Sequence, residues 1–252
     1  MRSWKRTVAR AFDGAEGYDG AASIQAEAAG RLAAEIARQP LDDAPRVLEI
    51  GCGTGLLTAA LRARIATGSM VVSDIAPGMI RRCRARFSGE PDLRFLVMDG
   101  ERPCLLPGFD LIGSNLAAQW FEDLPAALGR LSALLAPGGL LAVSTLAAGT
   151  FREWQAAHAA LGLEAGTPTY PPLAALRALR FVGCTTSVSS ASLVEAHTDG
   201  RAFLKALRAI GAGTPVLRPA LSPGALRRVL HRYDASGASA TYVVANVLIR
   251  RA

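Results

Sequence analysis

Arg46-Val47-Leu48-Glu49-Ile50-Gly51-Cys52-Gly53-Thr54-Gly55-Leu56-Leu57 runs a short apolar segment straight into a turn with glycine at alternate positions, and then into a helical pattern. Val47, Leu48 and Ile50 between breakers read as a strand buried in a parallel sheet. Gly51, Gly53 and Gly55 let the chain bend tightly and lie against a ligand, because no Cβ intrudes. Thr54 stands where it can cap the helix that carries Leu56, Leu57, Ala60 and Leu61. Such a corner turns free backbone N–H groups toward a nucleotide-like or carboxylate ligand. The stretch therefore predicts a small-cofactor site.

A dinucleotide turn reads G-x-G-x-x-G/A, with a third small residue for close helix packing. Leu56 occupies that third position here, so the match fails. The spacing is instead Gly51-x-Gly53-x-Gly55, with Glu49 before it. A second strand, Met70 to Ser73, ends in Asp74, roughly 20 residues beyond the glycines, where an acid can bind a ribose diol. A third strand, Leu93 to Val97, and a fourth, Phe109 to Ser114, follow, and Pro137-Gly138-Gly139 turns into a fifth that ends at Leu146. Strands alternating with helical patterns predict an α/β, doubly wound, mostly parallel sheet. Ile24, Ala28, Leu32 and Ile36 recur every four residues and predict a helix over 21–39. Thr241 to Ile249 reads as the last strand, with Phe181 to Val188 as its antiparallel neighbour.

A length of 252 residues fits one α/β domain. Its expected parts are an N-terminal helical cover over 1–40, a cofactor-binding core over 45–190, a lid insertion over 191–235 and a last strand over 238–250. Helical patterns near 199–210 and 222–232 fall inside the lid. Half of the residues are hydrophobic, enough for a large core and against disorder. No apolar run reaches the length of a membrane helix, and no apolar stretch follows Arg2, Lys5, Arg6 and Arg10 as in a signal peptide. Cys52, Cys83, Cys104 and Cys184 lie far apart in sequence, and with three histidines they offer no clustered metal ligands. Reduced cysteines and a cytoplasmic location are expected. A net charge of +7 suits an acidic partner or an ordinary solvated Arg-rich surface.

Glu49-Ile50-Gly51-Cys52-Gly53-Thr54-Gly55 resembles the first motif of class I S-adenosylmethionine-dependent methyltransferases, and Asp74-Ile75-Ala76-Pro77-Gly78-Met79 their second. Met98-Asp99-Gly100-Glu101 is similar to their adenine-contacting segment, and Asn115-Leu116 to the loop beside the reactive methyl. The resemblance implies a Rossmann-like sheet of seven strands with an antiparallel last strand. It also implies that Gly51, Gly53 and Gly55 hold the amino-acid end of S-adenosylmethionine, with Glu49 orienting the turn or meeting the amino group, Asp74 the ribose hydroxyls, Asp99 the adenine, and Asn115 in the loop beside the methyl; Ile75, Gly100 and Gln25 are counted with these cofactor residues. A narrower resemblance, to the malonyl-acyl-carrier-protein O-methyltransferases of biotin synthesis, sits in four stretches. These are Ser114-Asn115-Leu116-Ala117-Ala118-Gln119-Trp120, Gly149-Thr150-Phe151-Arg152-Glu153, Leu204 to Ala212 and Ala240-Thr241-Tyr242. Val8 to Asp13, with Tyr18 and Gln25, is similar to that family's N-terminal segment.

Methyl transfer from a sulfonium is an in-line displacement that needs the acceptor about 3 Å from the methyl carbon. A carboxylate acceptor is already anionic and needs no general base, so no side-chain acid or base and no metal is assigned. Charge cancels as the bond forms, which favours a dry site. The acceptor carboxylate of a malonyl thioester suits an arginine fork, and Arg208 and Arg152 are the candidates. Trp120 and Tyr18 are candidate pocket or lid residues. The implied partner is an acidic acyl carrier protein. Weighed beside it are a small-molecule carboxylate methyltransferase, a nucleic-acid methyltransferase and a non-catalytic subunit that kept the fold. Against the nucleic-acid reading, Ser114-Asn115-Leu116-Ala117 has no base-stacking aromatic, and aromatic residues make up only 6% of the chain.

Overall fold

The computed structural model describes residues 3–14, 20, 22–210 and 221–252. Seven strands form one sheet: β1 (Arg46–Ile50), β2 (Ser69–Asp74), β3 (Leu93–Val97), β4 (Phe109–Asn115), β5 (Leu135–Leu146), β6 (Cys184–Ala196) and β7 (Ser239–Arg251). Their order is β3-β2-β1-β4-β5-β7-β6, with the last strands antiparallel. The sheet is thus the Rossmann-like, doubly wound one that the sequence predicts. Parallel pairing carries Arg46 opposite Ser69 and Ile50 opposite Ser73, with Leu48 opposite Ile112 on the other side. That register sets the exits of β1, β2 and β4 side by side, at the end where open α/β sheets bind ligands.

The chain forms two compact units. The larger contains residues 25–145, 173–190 and 245–252. Its core is built from α2 (Ser23–Ile36), α3 (Leu56–Arg62) and α4 (Pro77–Arg86) against the sheet, with Leu32, Ile36, Val47, Leu57, Leu61 and Met70 buried together. Glu35, on the rim of α2, accepts hydrogen bonds from Asn246 Nδ2 at 2.7 Å and Ser189 Oγ at 3.1 Å. α5 (Leu124–Ser132) starts at Asp123, whose side chain accepts the Ala126 N–H. α7 (Leu173–Arg177) completes this unit.

The smaller unit contains residues 1–24, 146–172 and 191–244. It holds α1 (Ser3–Asp13), α6 (Arg152–Ala159), α8 (Gly200–Ala209) and α9 (Pro223–Ala235). Aromatic rings supply its centre: Trp154 and Phe203 lie 5.4 and 5.3 Å from Tyr233, and Phe151 lies 4.9 Å from Tyr242. Edge-to-face contacts of this kind add to the burial itself. Both oxygens of Glu153 are used on Thr241, one by its hydroxyl at 2.6 Å and one by its N–H at 3.0 Å. Asp199 and Ser222 cap α8 and α9.

Three sequence expectations change. β6 begins at Cys184 and runs to Ala196, later and longer than the expected Phe181 to Val188, so residues 191–196 are strand and not lid insertion. It is an edge strand, exposed along much of its length and rich in Ser and Thr, so its hydrophobic alternation is weak. Thr54 does not cap α3; Gly55 takes that position in a left-handed conformation, φ +89°, and no side chain bonds there. The helix expected over 21–39 is Ser23–Ile36.

Glycine is obligatory where the bend meets its neighbour. A Cβ on Gly51, whose φ is +70°, would lie 2.3 Å from the Ala117 Cβ. Gly51→Ala therefore combines left-handed strain with a clash and costs about 2–4 kcal/mol. Urea denaturation is expected to show that loss, and adding Ala117→Gly is expected to restore only the steric part. An unchanged midpoint for the single variant would contradict this packing.

Candidate functional site

The corner between β1 and α3 is tied to the next strand by two hydrogen bonds, and a third joins the end of that strand to the start of α4. Cys52 N donates to Ser73 O at 2.9 Å, Gly53 N to Asp74 Oδ2 at 2.9 Å, and Ala76 N to Asp74 Oδ1 at 2.8 Å. Asp74 is buried, 8% exposed, and its carboxylate holds the glycine turn and the start of α4 together. Charge-assisted bonds to backbone N–H groups are the strong kind. A carboxylate has about four acceptor sites, and these two bonds use one on each oxygen. Gly51, Gly53 and Gly55 all adopt positive φ, +70°, +54° and +89°. Ile75, half-buried, follows Asp74 directly.

Glu49 lies beneath this turn and is 1% exposed. Thr58 Oγ donates to its Oε2 at 2.6 Å, while Ser73 Oγ donates to its carbonyl at 2.7 Å. Burial pushes its pKa from the ordinary 4.5 up to about 8, so the group is largely neutral at physiological pH. Cys52 and Cys83, distant in sequence, adjoin one another in the same layer; the contact between the thiols, together with burial, raises Cys52, while the same contact lowers Cys83 against the effect of its burial.

The exit of β3 lies beside that of β2. Asp99 Oδ1 accepts the Glu101 N–H at 3.0 Å. Gly100 is pressed on the end of β1, where an added Cβ would lie 2.3 Å from Ile50 Cγ2. Beyond β4, Asn115 Nδ2 donates to the Gln25 carbonyl at 3.0 Å, and Asn115 Oδ1 accepts from Ser144 Oγ at 2.7 Å. Asn115 thus fastens α2 to the loop that carries Trp120, which sits half-buried in a short 3-10 turn, Ala118–Trp120. Gln119 Nε2 donates to Leu116 O at 2.6 Å. Two buried acceptors here, Gln25 Oε1 and Gln119 Oε1, have no hydrogen-bond partner among the described residues.

The structure brings Glu49, Gly51, Gly53, Gly55, Asp74, Ile75, Asp99, Gly100, Asn115 and Gln25 into the larger unit. Arg152 and Arg208 belong to the smaller one. Arg152 is exposed, with its Nε 3.1 Å from Glu153 Oε1; Arg208 is exposed in the last turn of α8. Tyr18 lies outside the described residues. Sequence reasoning missed Thr58, Ser73, Ser144 and Gln119. Gln119 stood inside a quoted stretch, whereas the other three are small hydroxyl residues whose meaning appears only once the strands pair.

A sheet of this order, with a glycine bend at the exit of its first strand and a carboxylate at the end of its second, defines a class I methyltransferase. The fold is similar to that of the YcgJ protein from Bacillus subtilis, with a TM-score of 0.61 at 13% identity over 88% of this chain and 98% of that one. It is also similar to the N-methyltransferase NodS from Bradyrhizobium japonicum in complex with S-adenosyl-L-homocysteine, with a TM-score of 0.50 at 16% identity over 90% and 86%. Residues 47–139 match the family described as a methyltransferase domain. Across 94% of its length the chain is 48% identical to the biotin biosynthesis bifunctional protein BioCD of Bordetella avium, and it spans 50% of that protein. It is 41% identical to the malonyl-[acyl-carrier protein] O-methyltransferase of Magnetococcus marinus, over 94% of this chain and 89% of that one. The chain belongs to the malonyl-[acyl-carrier protein] O-methyltransferase family. Its methyl donor is S-adenosylmethionine.

The residues present fit that donor. Buried acceptors without a partner among the described residues, Gln25 Oε1 and Gln119 Oε1, carry a cost of about 1–3 kcal/mol each unless a ligand donor reaches them.

Two measurements follow from the corner. Asp74→Ala removes the acceptor of Gly53 N–H and Ala76 N–H, and is expected to weaken S-adenosylhomocysteine binding at least about tenfold by calorimetry, from a loss of about 1.5–3 kcal/mol per charged hydrogen bond. Retained affinity in a folded variant would refute the clamp. Glu49 contributes stability that is complete below pH 4.5 and is lost as pH rises through about 8, at up to about 1.4 kcal/mol per pH unit. Glu49→Gln keeps an acceptor for Thr58 and is expected to flatten that slope in urea midpoints measured against pH.

Proposed function

We propose that this chain transfers the methyl group of S-adenosylmethionine to the free carboxylate of a malonyl thioester borne by an acidic acyl carrier protein, as a step of biotin synthesis. The observation that carries this reading is identity of 41% to a malonyl-[acyl-carrier protein] O-methyltransferase over nearly the whole of both chains. When bound, the donor supplies an electrophilic methyl carbon on a sulfonium. The chain's own part is to bind, orient and exclude water. Glu49, Gly51, Gly53 and Gly55 shape the bend for the amino-acid end, Asp74 and Ile75 face the ribose, and Asp99 and Gly100 the adenine. Gln25, Asn115 and Gln119 line the region of the methyl.

The acceptor arrives as an anion, so the step asks for no proton transfer from a side chain, and its barrier falls mainly through positioning. Donor cation and acceptor anion neutralise one another as the bond forms, which a dry wall favours. Trp120 and Tyr18 are assigned to that wall. Arg208 and Arg152 are assigned to the acceptor carboxylate, which a guanidinium fork matches in shape and charge. The Arg208 side chain has no hydrogen bond or ion pair among the described residues, whereas Arg152 faces Glu153. Donor and carrier place the reaction in the cytoplasm. Among the described residues no helix is long and apolar enough to cross a membrane.

Incubating the protein with methyl-labelled donor and malonyl-carrier protein is expected to place one methyl ester on the acyl chain, read by mass spectrometry and removed by mild alkaline hydrolysis. Free malonate and tricarboxylic acids are expected to stay unlabelled. Label on free acids but not on the carrier-bound chain would replace this reading with a small-molecule carboxylate methyltransferase.

A further inference from the structure

α8 and α9 pack against each other and turn unlike faces outward and inward. Phe203, Val229 and Tyr233 are fully buried on the inner face. Arg201 and Lys205 stand one turn apart on the exposed face of α8, and Arg227 and His231 one turn apart on the exposed face of α9. Between the helices lies a hollow of about 330 Å³ lined by Asp199, Arg201, Arg227, Leu230, His231 and Asp234.

The two acids in that hollow are engaged by backbone. Asp199 Oδ1 accepts the Ala202 N–H at 2.7 Å, and Asp234 Oδ1 accepts the Gly200 N–H at 2.6 Å. Neither forms an ion pair with the cations beside it. The side chains of Arg201, Lys205, Arg227 and His231 make no hydrogen bond or ion pair among the described residues. In the larger unit Arg31 pairs with Glu27, and Arg62 with Glu90 and Asp92. On α8 and α9 the exposed cations keep no such partner, because the two carboxylates beside them, Asp199 and Asp234, accept N–H groups at the start of α8.

We propose that the outer faces of α8 and α9 form the docking surface for an acidic helix of the acyl carrier protein. This rests on the acceptor assigned above and goes beyond it by naming where the protein part of the substrate binds. One-turn spacing on each helix, about 5.4 Å along the axis, matches carboxylates three or four residues apart on a partner helix. Such complementarity acts mainly on encounter rate and selectivity, and salt weakens it.

The test compares two acceptors that share one reacting group: malonyl-carrier protein and malonyl-pantetheine, which has the thioester but no protein. Arg201→Glu with Arg227→Glu is expected to raise KM for the carrier-borne acceptor about tenfold or more, within the range for charge reversal at an interface. It is expected to leave kcat/KM for malonyl-pantetheine within about twofold and to abolish the salt dependence of the carrier reaction. Arg201→Gln with Arg227→Gln serves as the gentler pair and is expected to give a smaller shift in the same direction. Equal losses on both acceptors, or an unchanged KM for the carrier, would overturn the docking surface. Binding of unacylated carrier protein, followed by fluorescence anisotropy, judges the surface independently of the chemistry. Weaker binding by the charge-reversed protein supports it, and equal binding overturns it. Wild-type protein that methylates neither acceptor would overturn the acceptor assignment alone. Tighter binding of a single-stranded RNA than of the carrier to the same arginines would overturn the proposed partner.

Discussion

The carboxylate of Asp74 accepts two backbone N–H groups, Gly53 on the bend after β1 and Ala76 at the start of α4. Those donors come from segments that would otherwise diverge, since one enters α3 and the other α4. Their junction keeps the glycine bend open in a left-handed path that only glycine follows without strain. Every functional element of the larger unit is measured from this point. The loop after β4 packs on Gly51, and Gly100 packs on the end of β1. The bend is a rigid platform because its neighbours on both sides leave it no room to relax.

Glu49 makes the platform's floor with a group that is costly to bury ionised. Burial favours its neutral form, and the hydroxyl of Thr58 satisfies one of its oxygens. A neutral, hydrogen-bonded carboxyl sets the β1–α3 angle without adding a second full charge beside Asp74. The smaller unit solves a different problem. Its ring cluster around Phe203 and Tyr233 supports α8 and α9, whose exposed sides are left free to carry charge.

Much of this was legible in the sequence, and where it was not the reason is physical. β1, β2 and β4 matched their expected spans to within a residue or so at their ends, because central parallel strands are buried on both faces and must be apolar throughout. β6 was misplaced, since an edge strand exposes half its residues and Ser and Thr serve there as well as Val. The cap of α3 was misread because Thr54 is a good cap by type, while the bend needed a left-handed residue at the next position.

Local sequence determined the strand-bend-helix corner, the alternation that makes a doubly wound sheet, and the family motifs. These depend on residues within a few positions of each other, through steric freedom and hydrophobic periodicity. Tertiary structure alone decided that Asp74 locks the bend, that Thr58 seats Glu49, that Asn115 bridges Gln25 and Ser144, and that the arginines of α8 and α9 share one face. Each of these is a meeting of side chains far apart along the chain, and strand register and helix packing, which no local pattern encodes, bring them within hydrogen-bonding distance.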